Sequence, residues 1–180
     1  MHLVDSHLCA DAGKFLAAAL LTLTAMLHLA LPHVSALSKV DLLESYGALP
    51  FDLEFYARGG EAEHLAAAVL ADSMPSGGDA PTPAQRRRAK LSRGLCELLD
   101  DYGLVNFVTL DVQDEASMRT LLALIDKANG AVFAGLARAA AARGEPSLPH
   151  LYTATARAED WPSERLMAVT ERHMPSRDAD

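Results

Sequence analysis

The first forty residues alternate between apolar runs of strand and helix period. His2-Leu3-Val4 is the stub of a strand, and Asp5-Ser6 follows at its carboxyl end. Asp11-Ala12-Gly13-Lys14 then leads into a helix of about five turns that ends near Leu29. Leu16, Leu20, Leu23 and Leu27 make one stripe, and Phe15, Ala18, Ala19 and Met26 a second. A helix apolar nearly all round predicts packing on both sides. Pro32 stops it, because proline disfavours helix in the preceding residue and removes a donor. His33 to Leu37 reads as a short strand buried on both faces, and it runs out into Ser38-Lys39-Val40-Asp41. Strand, helix and strand joined this closely form a βαβ unit, with parallel strands and a right-handed crossover.

Further on the pattern is mixed. Leu42 to Tyr46 predicts a short helical turn, and Gly47 to Gly60 an irregular stretch rich in aromatic residues, which fits loop packing better than a ligand cage. Glu61 to Ala71 predicts a helix with Leu65, Val69 and Leu70 on one side. Ser73 to Pro81 is a Pro/Gly/Ser-rich loop. Thr82-Pro83-Ala84-Gln85 starts another helix, with threonine as N-cap and glutamine closing a capping box. Leu91, Leu95, Leu98, Leu99 and Tyr102 are its expected inward face, and Gly103 ends it. Leu104 to Leu110 is the clearest strand, Asp111-Val112-Gln113-Asp114 its exit loop, and Ala116 to Ala128 a helix with Met118, Leu121, Leu122, Ile125 and Ala128 buried. Beyond Ala131 the signal weakens: Ala134 to Arg143 has helix propensity, Gly144 to Pro162 reads as loop, and Trp161 to His173 as a last short helix.

Composition narrows the class. The chain has 180 residues, half of them apolar and 22% charged, which is enough for one domain with a core. Its net charge of -8 argues against direct nucleic-acid binding. Arg86-Arg87-Arg88 with Lys90 is one basic cluster and reads as a solvated turn. Cys9 and Cys96 have neither zinc nor disulfide spacing, so a reducing compartment is the default. The histidines are scattered without carboxylates at ligand spacing, so no metal site is expected. Phe15 to Ala30 falls short of a spanning helix and carries Thr22, Thr24 and His28, so no membrane association is expected either.

The candidate chemistry lies at the strand ends. In an open parallel sheet, ligands bind beyond the carboxyl ends of the strands. Asp5-Ser6, Ser38-Lys39-Val40-Asp41 and Asp111-Val112-Gln113 would line one rim. Guanine presents N1–H and N2–H₂ as parallel donors, and the two oxygens of Asp41 can accept both. Adenine offers an acceptor at N1, which would leave that carboxylate badly paired. The Lys39 stem can lie on a base face, Val40 would point into the core, and Ser38 would help hold the loop.

These residues and their flanks carry a resemblance. Leu3 to His7 through Lys14-Phe15, Met26-Leu27-His28, and Leu31 through Leu42 resemble the GPN-loop GTPases. The likeness runs to the GPN-loop GTPase 2 branch, whose base motif has serine where most GTPases have asparagine. Tyr46-Gly47 through Phe51-Asp52-Leu53-Glu54-Phe55-Tyr56 match it too, as do Asp100 to Phe107 and Ile125 to Gly130. The resemblance covers roughly residues 2 to 133, apart from a variable region at 59–88. It implies a P-loop NTPase-like three-layer α/β fold, mostly parallel, with helices on both faces and here truncated. It implies GTP with Mg²⁺, hydrolysis to GDP, and homodimers or heterodimers of paralogues. It implies RNA polymerase II subunits as partners in assembly and nuclear import, and a cytoplasmic location with shuttling to the nucleus. Ser38, Lys39, Val40 and Asp41 match the guanine motif. Asp111, Val112 and Gln113 occupy the second base loop, where a backbone N–H would reach guanine O6.

The sequence departs from the family pattern in its phosphate machinery. No Gly-x-x-x-x-Gly-Lys-Ser/Thr occurs, and Gly13-Lys14 is followed by Phe15. The Gly-Pro-Asn tripeptide and a Mg²⁺-proximal Asp-x-x-Gly segment are not recognised either. Residues 1–133 are therefore expected to be the C-terminal part of a GTP-binding domain, with a helical or disordered tail at 134–180, no catalytic residue present and little activity alone. The strand at His2-Leu3-Val4 is expected to be a bare edge, with the first long helix short of partners on one flank. Two other readings stand beside this one: a non-catalytic subunit that pairs with a complete GPN-loop GTPase, and an unrelated α/β domain with a chance Ser-Lys-x-Asp.

Overall fold

The structure is a computed structural model that describes residues 1–73, 82–130 and 163–174. Three parallel strands form one sheet in the order β1 (His2–Asp5), β2 (Ser35–Ser38) and β3 (Phe107–Leu110). The register sets Asp5 beside Ser38 and Ser38 beside Leu110, so all three chains leave the sheet at the same end. This is the P-loop NTPase-like α/β arrangement.

After β1 a 3₁₀ helix, Ser6–Ala10, turns the chain into α1 (Ala12–Leu29). Asp11 caps α1 by accepting from the Lys14 N–H at 2.9 Å. The helix closes at Ala30, which is left-handed at φ 49, two residues before Pro32. Phe15, Ala19 and Leu23 are buried on the sheet side, whereas Leu21, Leu27 and Leu29 are exposed. By length and composition α1 could cross a membrane. It is however the crossover between two strands paired in one sheet, which ties both of its ends to the same core.

A second 3₁₀ helix, Val40–Tyr46, follows β2, and then α2 (Leu53–Ala57), which stands where the sequence predicted irregular chain. Tyr56 explains that element. It is fully buried, meets Phe15 edge-on at 4.9 Å, and donates its hydroxyl to the Cys9 carbonyl at 2.9 Å. The aromatic stretch thus fills the core, with Phe51 stacked on Phe55 at 4.0 Å. Gly59 at φ +85 makes the following turn, and a Cβ there would lie 2.1 Å from the Val105 carbonyl oxygen.

α3 (Ala62–Ser73) and α4 (Pro83–Tyr102) pack together, and both touch α1. The expected capping box of α4 forms between Thr82 and Gln85. Of its expected inward face, Leu99 is buried and Leu95 half-buried, but the rest is turned outward. Ser92, Cys96 and Leu99 are buried, while Leu91, Leu98 and Tyr102 are exposed at 63%, 41% and 47%. Small Ser92 and Cys96 let the helix axis come close to its neighbours, and this outweighs the bulk of the leucine stripe.

α5 (Glu115–Ala128) covers the other face of the sheet, with Leu121 and Leu124 against Val34, Ala36, Val108 and Leu110. Met118 and Leu122, expected inside, are exposed. The last described helix, α6 (Ser163–His173), packs on the second 3₁₀ helix and on α2, with Leu166 in the core. Helices therefore lie on both faces. β1 is an edge among the described residues, with Leu3 51% exposed. The predicted loop at Ser73 to Pro81 falls almost wholly outside the described residues, and the predicted helix at 134–143 and loop at 144–162 fall outside them entirely.

Candidate functional site

The strand register builds a polar rim. Ser38 ends β2, and the next residue, Lys39, adopts the left-handed conformation at φ 63. That conformation costs a non-glycine residue about 1 kcal/mol and persists only where its surroundings fix it. Two donors do so: buried Ser6 donates its hydroxyl to the Lys39 carbonyl at 2.8 Å, and the Leu42 N–H donates to the same oxygen at 3.1 Å. The turn then drives Val40 fully into the core and puts Asp41 in the first turn of the 3₁₀ helix.

The Lys39 ammonium lies 2.6 Å from Asp5 Oδ2. That hydrogen bond raises the lysine pKa and lowers that of Asp5, whose other oxygen accepts from the His7 N–H at 3.0 Å. The stem of Lys39 therefore bridges from the exit of β2 to the exit of β1. Asp41 is half-buried, and among the described residues its carboxylate has no hydrogen-bond or ion-pair partner. The turn fixes its backbone position and leaves its two acceptor oxygens open among the described residues.

The third exit loop is tightly tied. Buried Asp111 donates its N–H to Ser117 Oγ at 3.0 Å and accepts from the Gln113 N–H through Oδ1 at 2.8 Å. Ser117 donates in turn to the Thr109 carbonyl at 3.3 Å. Of the three loop amides this leaves the one on Val112, which has no partner among the described residues and whose side chain is 65% exposed. The other Asp111 oxygen faces His173 Nε2 of α6 at 3.6 Å, and Arg172 faces Asp114 at 3.6 Å.

The structure thus sets Ser38, Lys39, Val40 and Asp41 at one strand exit and Asp111 and Val112 at the neighbouring one. Sequence reasoning named Asp5 as a rim residue but missed it as the partner of Lys39, although the parallel register of β1 and β2 implies that closeness. It missed His173 altogether, since α6 docks from more than fifty residues downstream. The letters Asp-x-x-Gly occur at Asp100-Asp101-Tyr102-Gly103, where Gly103 is the left-handed cap of α4 at φ 55. Among the described residues no group of three or more histidine, cysteine or acidic residues could hold a metal ion.

The structure thus brings a half-buried carboxylate and an amide with no partner among the described residues to adjacent exits of one parallel α/β sheet, the end at which such sheets take ligands. The sequence matches the family described as conserved hypothetical ATP binding protein over residues 1–131. The chain is 39% identical to GPN-loop GTPase QQT1 of Arabidopsis thaliana over 97% of its own length and 52% of that protein's. It is 44% identical to GPN-loop GTPase 2 of Danio rerio, over 76% of this chain and 40% of that one. Against GPN-loop GTPase 2 of Saccharomyces cerevisiae the identity is 34%, over 74% and 36%. The chain belongs to the GPN-loop GTPase family. It spans about half or less of the length of these relatives. No solved structure matches it.

Proposed function

We propose that these 180 residues form the guanine-reading part of a GTP-binding protein that hydrolyses GTP to GDP with Mg²⁺. The observation that carries this reading is Asp41: a half-buried carboxylate at a strand exit with no hydrogen-bond or ion-pair partner among the described residues. They suit the N1–H and N2–H₂ donors of guanine. Ser38 ends the strand that positions the turn, Lys39 spans the rim beside the base, and the Val112 N–H is the donor for O6. The family description speaks of ATP, the relatives' names of GTP. The carboxylate supports the guanine reading, because adenine would set an acceptor against it. The sequence has no phosphate-binding glycine loop, so the phosphates and Mg²⁺ are held by groups outside these residues, and the chain alone reads the base with little hydrolysis.

The family resemblance supports a role in RNA polymerase II assembly and import, in the cytoplasm with passage to the nucleus, as a dimer of like or paralogous chains. A second reading is a non-catalytic subunit that pairs with a complete GPN-loop GTPase. The apolar flank exposed at Leu21, Leu27, Leu29 and Leu31 favours it.

The test is Asp41→Ala in the complete protein. GTP affinity should fall about 30-fold or more, the loss of roughly 2 kcal/mol for a charged hydrogen-bonding group, while ATP binding stays unchanged. Undiminished preference for GTP over ATP would remove Asp41 from the site.

A further inference from the structure

α6 reaches both exits of the rim. On one side it packs on the 3₁₀ helix that begins with Val40 and Asp41. On the other, its last turn faces the loop after β3: His173 Nε2 lies 3.6 Å from Asp111 Oδ2, and Arg172 lies 3.6 Å from Asp114. Leu166, Val169 and His173 stand three and then four residues apart, on one helix face. The residues that enter the core and the residue that meets the loop are therefore aligned.

The two loop contacts differ in weight. Arg172 is 63% exposed, so water screens its attraction to Asp114. The side chains of His173 and Asp111 are only 13% and 10% exposed. At 3.6 Å their contact is too long for a hydrogen bond, but shielding from water strengthens it. Asp111 Oδ1 accepts from the Gln113 N–H, so one carboxylate oxygen serves the loop and the other faces α6. Between α5 and α6 a groove stays open, lined by Ser117, Thr120, Ala168 and Val169 among others. Packing along that flank is incomplete, and the last turn of α6 carries the contact with the loop.

The two proposed base-reading groups sit on different loops. Strand pairing fixes Ser38 beside Leu110, but Asp41 lies three residues past the first and Val112 two past the second. The edge of one base requires the carboxylate and the amide at one separation. We infer that α6 is a clamp that sets this separation, with His173 the positioning residue that holds the second loop. His173 acts through Asp111 and touches no base itself. The inference rests on the reading of these loops as a guanine site. By linkage, whatever bound guanine gains from a docked α6, the docking of α6 gains from guanine.

Guanosine and adenosine titrations of the full chain, followed by NMR, test it with His173→Ala and His173→Gln. The unaltered chain should prefer guanosine, and His173→Ala should bind it about fivefold more weakly or worse, the lower end of ordinary coupling between sites. His173→Gln should return to within about twofold, because its amide nitrogen donates from nearly the place of the histidine Nε2. A reciprocal measurement needs no variant: saturating guanosine should slow hydrogen exchange of the amides at 170–173 by a similar factor. Should His173→Ala fail to fold by circular dichroism, that exchange measurement still decides. Undiminished guanosine affinity in His173→Ala, or exchange in α6 indifferent to guanosine, would overturn the clamp while the base reading stands. A His173→Gln protein as weak as His173→Ala would assign the effect to ring packing and overturn positioning through Asp111. A chain without preference for guanosine over adenosine would overturn the base reading, and the clamp with it.

Discussion

Asp41 and Lys39 show how much one residue's conformation can decide. The left-handed turn at Lys39 sends Val40 inward and leaves Asp41 half-buried beside the strand exit. The Asp5 contact holds the ammonium off the acceptors that the base needs, so Asp5→Asn should weaken guanine binding modestly, by roughly 3-fold, as expected of a part-exposed pair. A loss as large as that of Asp41→Ala would mean Asp5 itself contacts the base. His33 gives a prediction about stability. It is buried, its Nε2 has no hydrogen-bond partner among the described residues, and its pKa is lowered first by burial and then by the positive amino terminus and His2. The folded chain thus resists a proton that the unfolded chain accepts near the ordinary value of 6.5. Stability is fully present above that pH and falls as the pH drops toward the lower folded value. Denaturant melts from pH 8 to 5 should show this slope, and His33→Phe should flatten it; an unchanged slope would acquit His33. Ser38 to Asp41 could be located from sequence because a buried strand must end in polar chain. The Asp5–Lys39 contact was implicit in the parallel pairing of β1 and β2, whereas the His173–Asp111 contact was not legible, since α6 docks from far downstream.

At the scale of elements, α4 shows where hydrophobic period misleads. Two adjacent faces compete, and period alone selects the leucines. Packing selected Ser92, Cys96 and Leu99 because α3 and α1 approach closely there. The same phase shift left Met118 and Leu122 of α5 outside. The ends of α4 were legible, because caps are local chemistry: Thr82, Gln85 and Gly103 all act as their types predict. Thr82→Ala should cost about 1 kcal/mol of stability. Gly59→Ala should cost more, roughly 2–4 kcal/mol, since it combines positive φ with a clash against the Val105 carbonyl just before β3. Chemical denaturation of both variants checks the order, and a Gly59→Ala protein as stable as the unaltered one would contradict that close approach.

At the scale of the whole molecule, the proposed function puts the base at the rim of a parallel sheet. The three strands are parallel because a helical crossover joins each neighbouring pair, and the rim follows from their common direction. If the base alone is read here, the 180-residue chain should bind guanosine, GDP and GTP within about 3-fold of one another, a difference under 1 kcal/mol. A strong preference for the triphosphate would reveal a phosphate site among these residues. The most direct measurement of the central claim uses nucleosides and Asp41→Asn, followed by NMR shifts of the amides at 38–41 and 111–113. The unaltered chain should prefer guanosine to adenosine and xanthosine by about tenfold or more, some 1.4 kcal/mol. Asp41→Asn should transfer that preference to xanthosine, whose C2 carbonyl accepts from the new amide where guanine's amine donated to the carboxylate. A variant that still prefers guanosine, or an unaltered chain that binds adenosine equally well, would contradict guanine reading by Asp41.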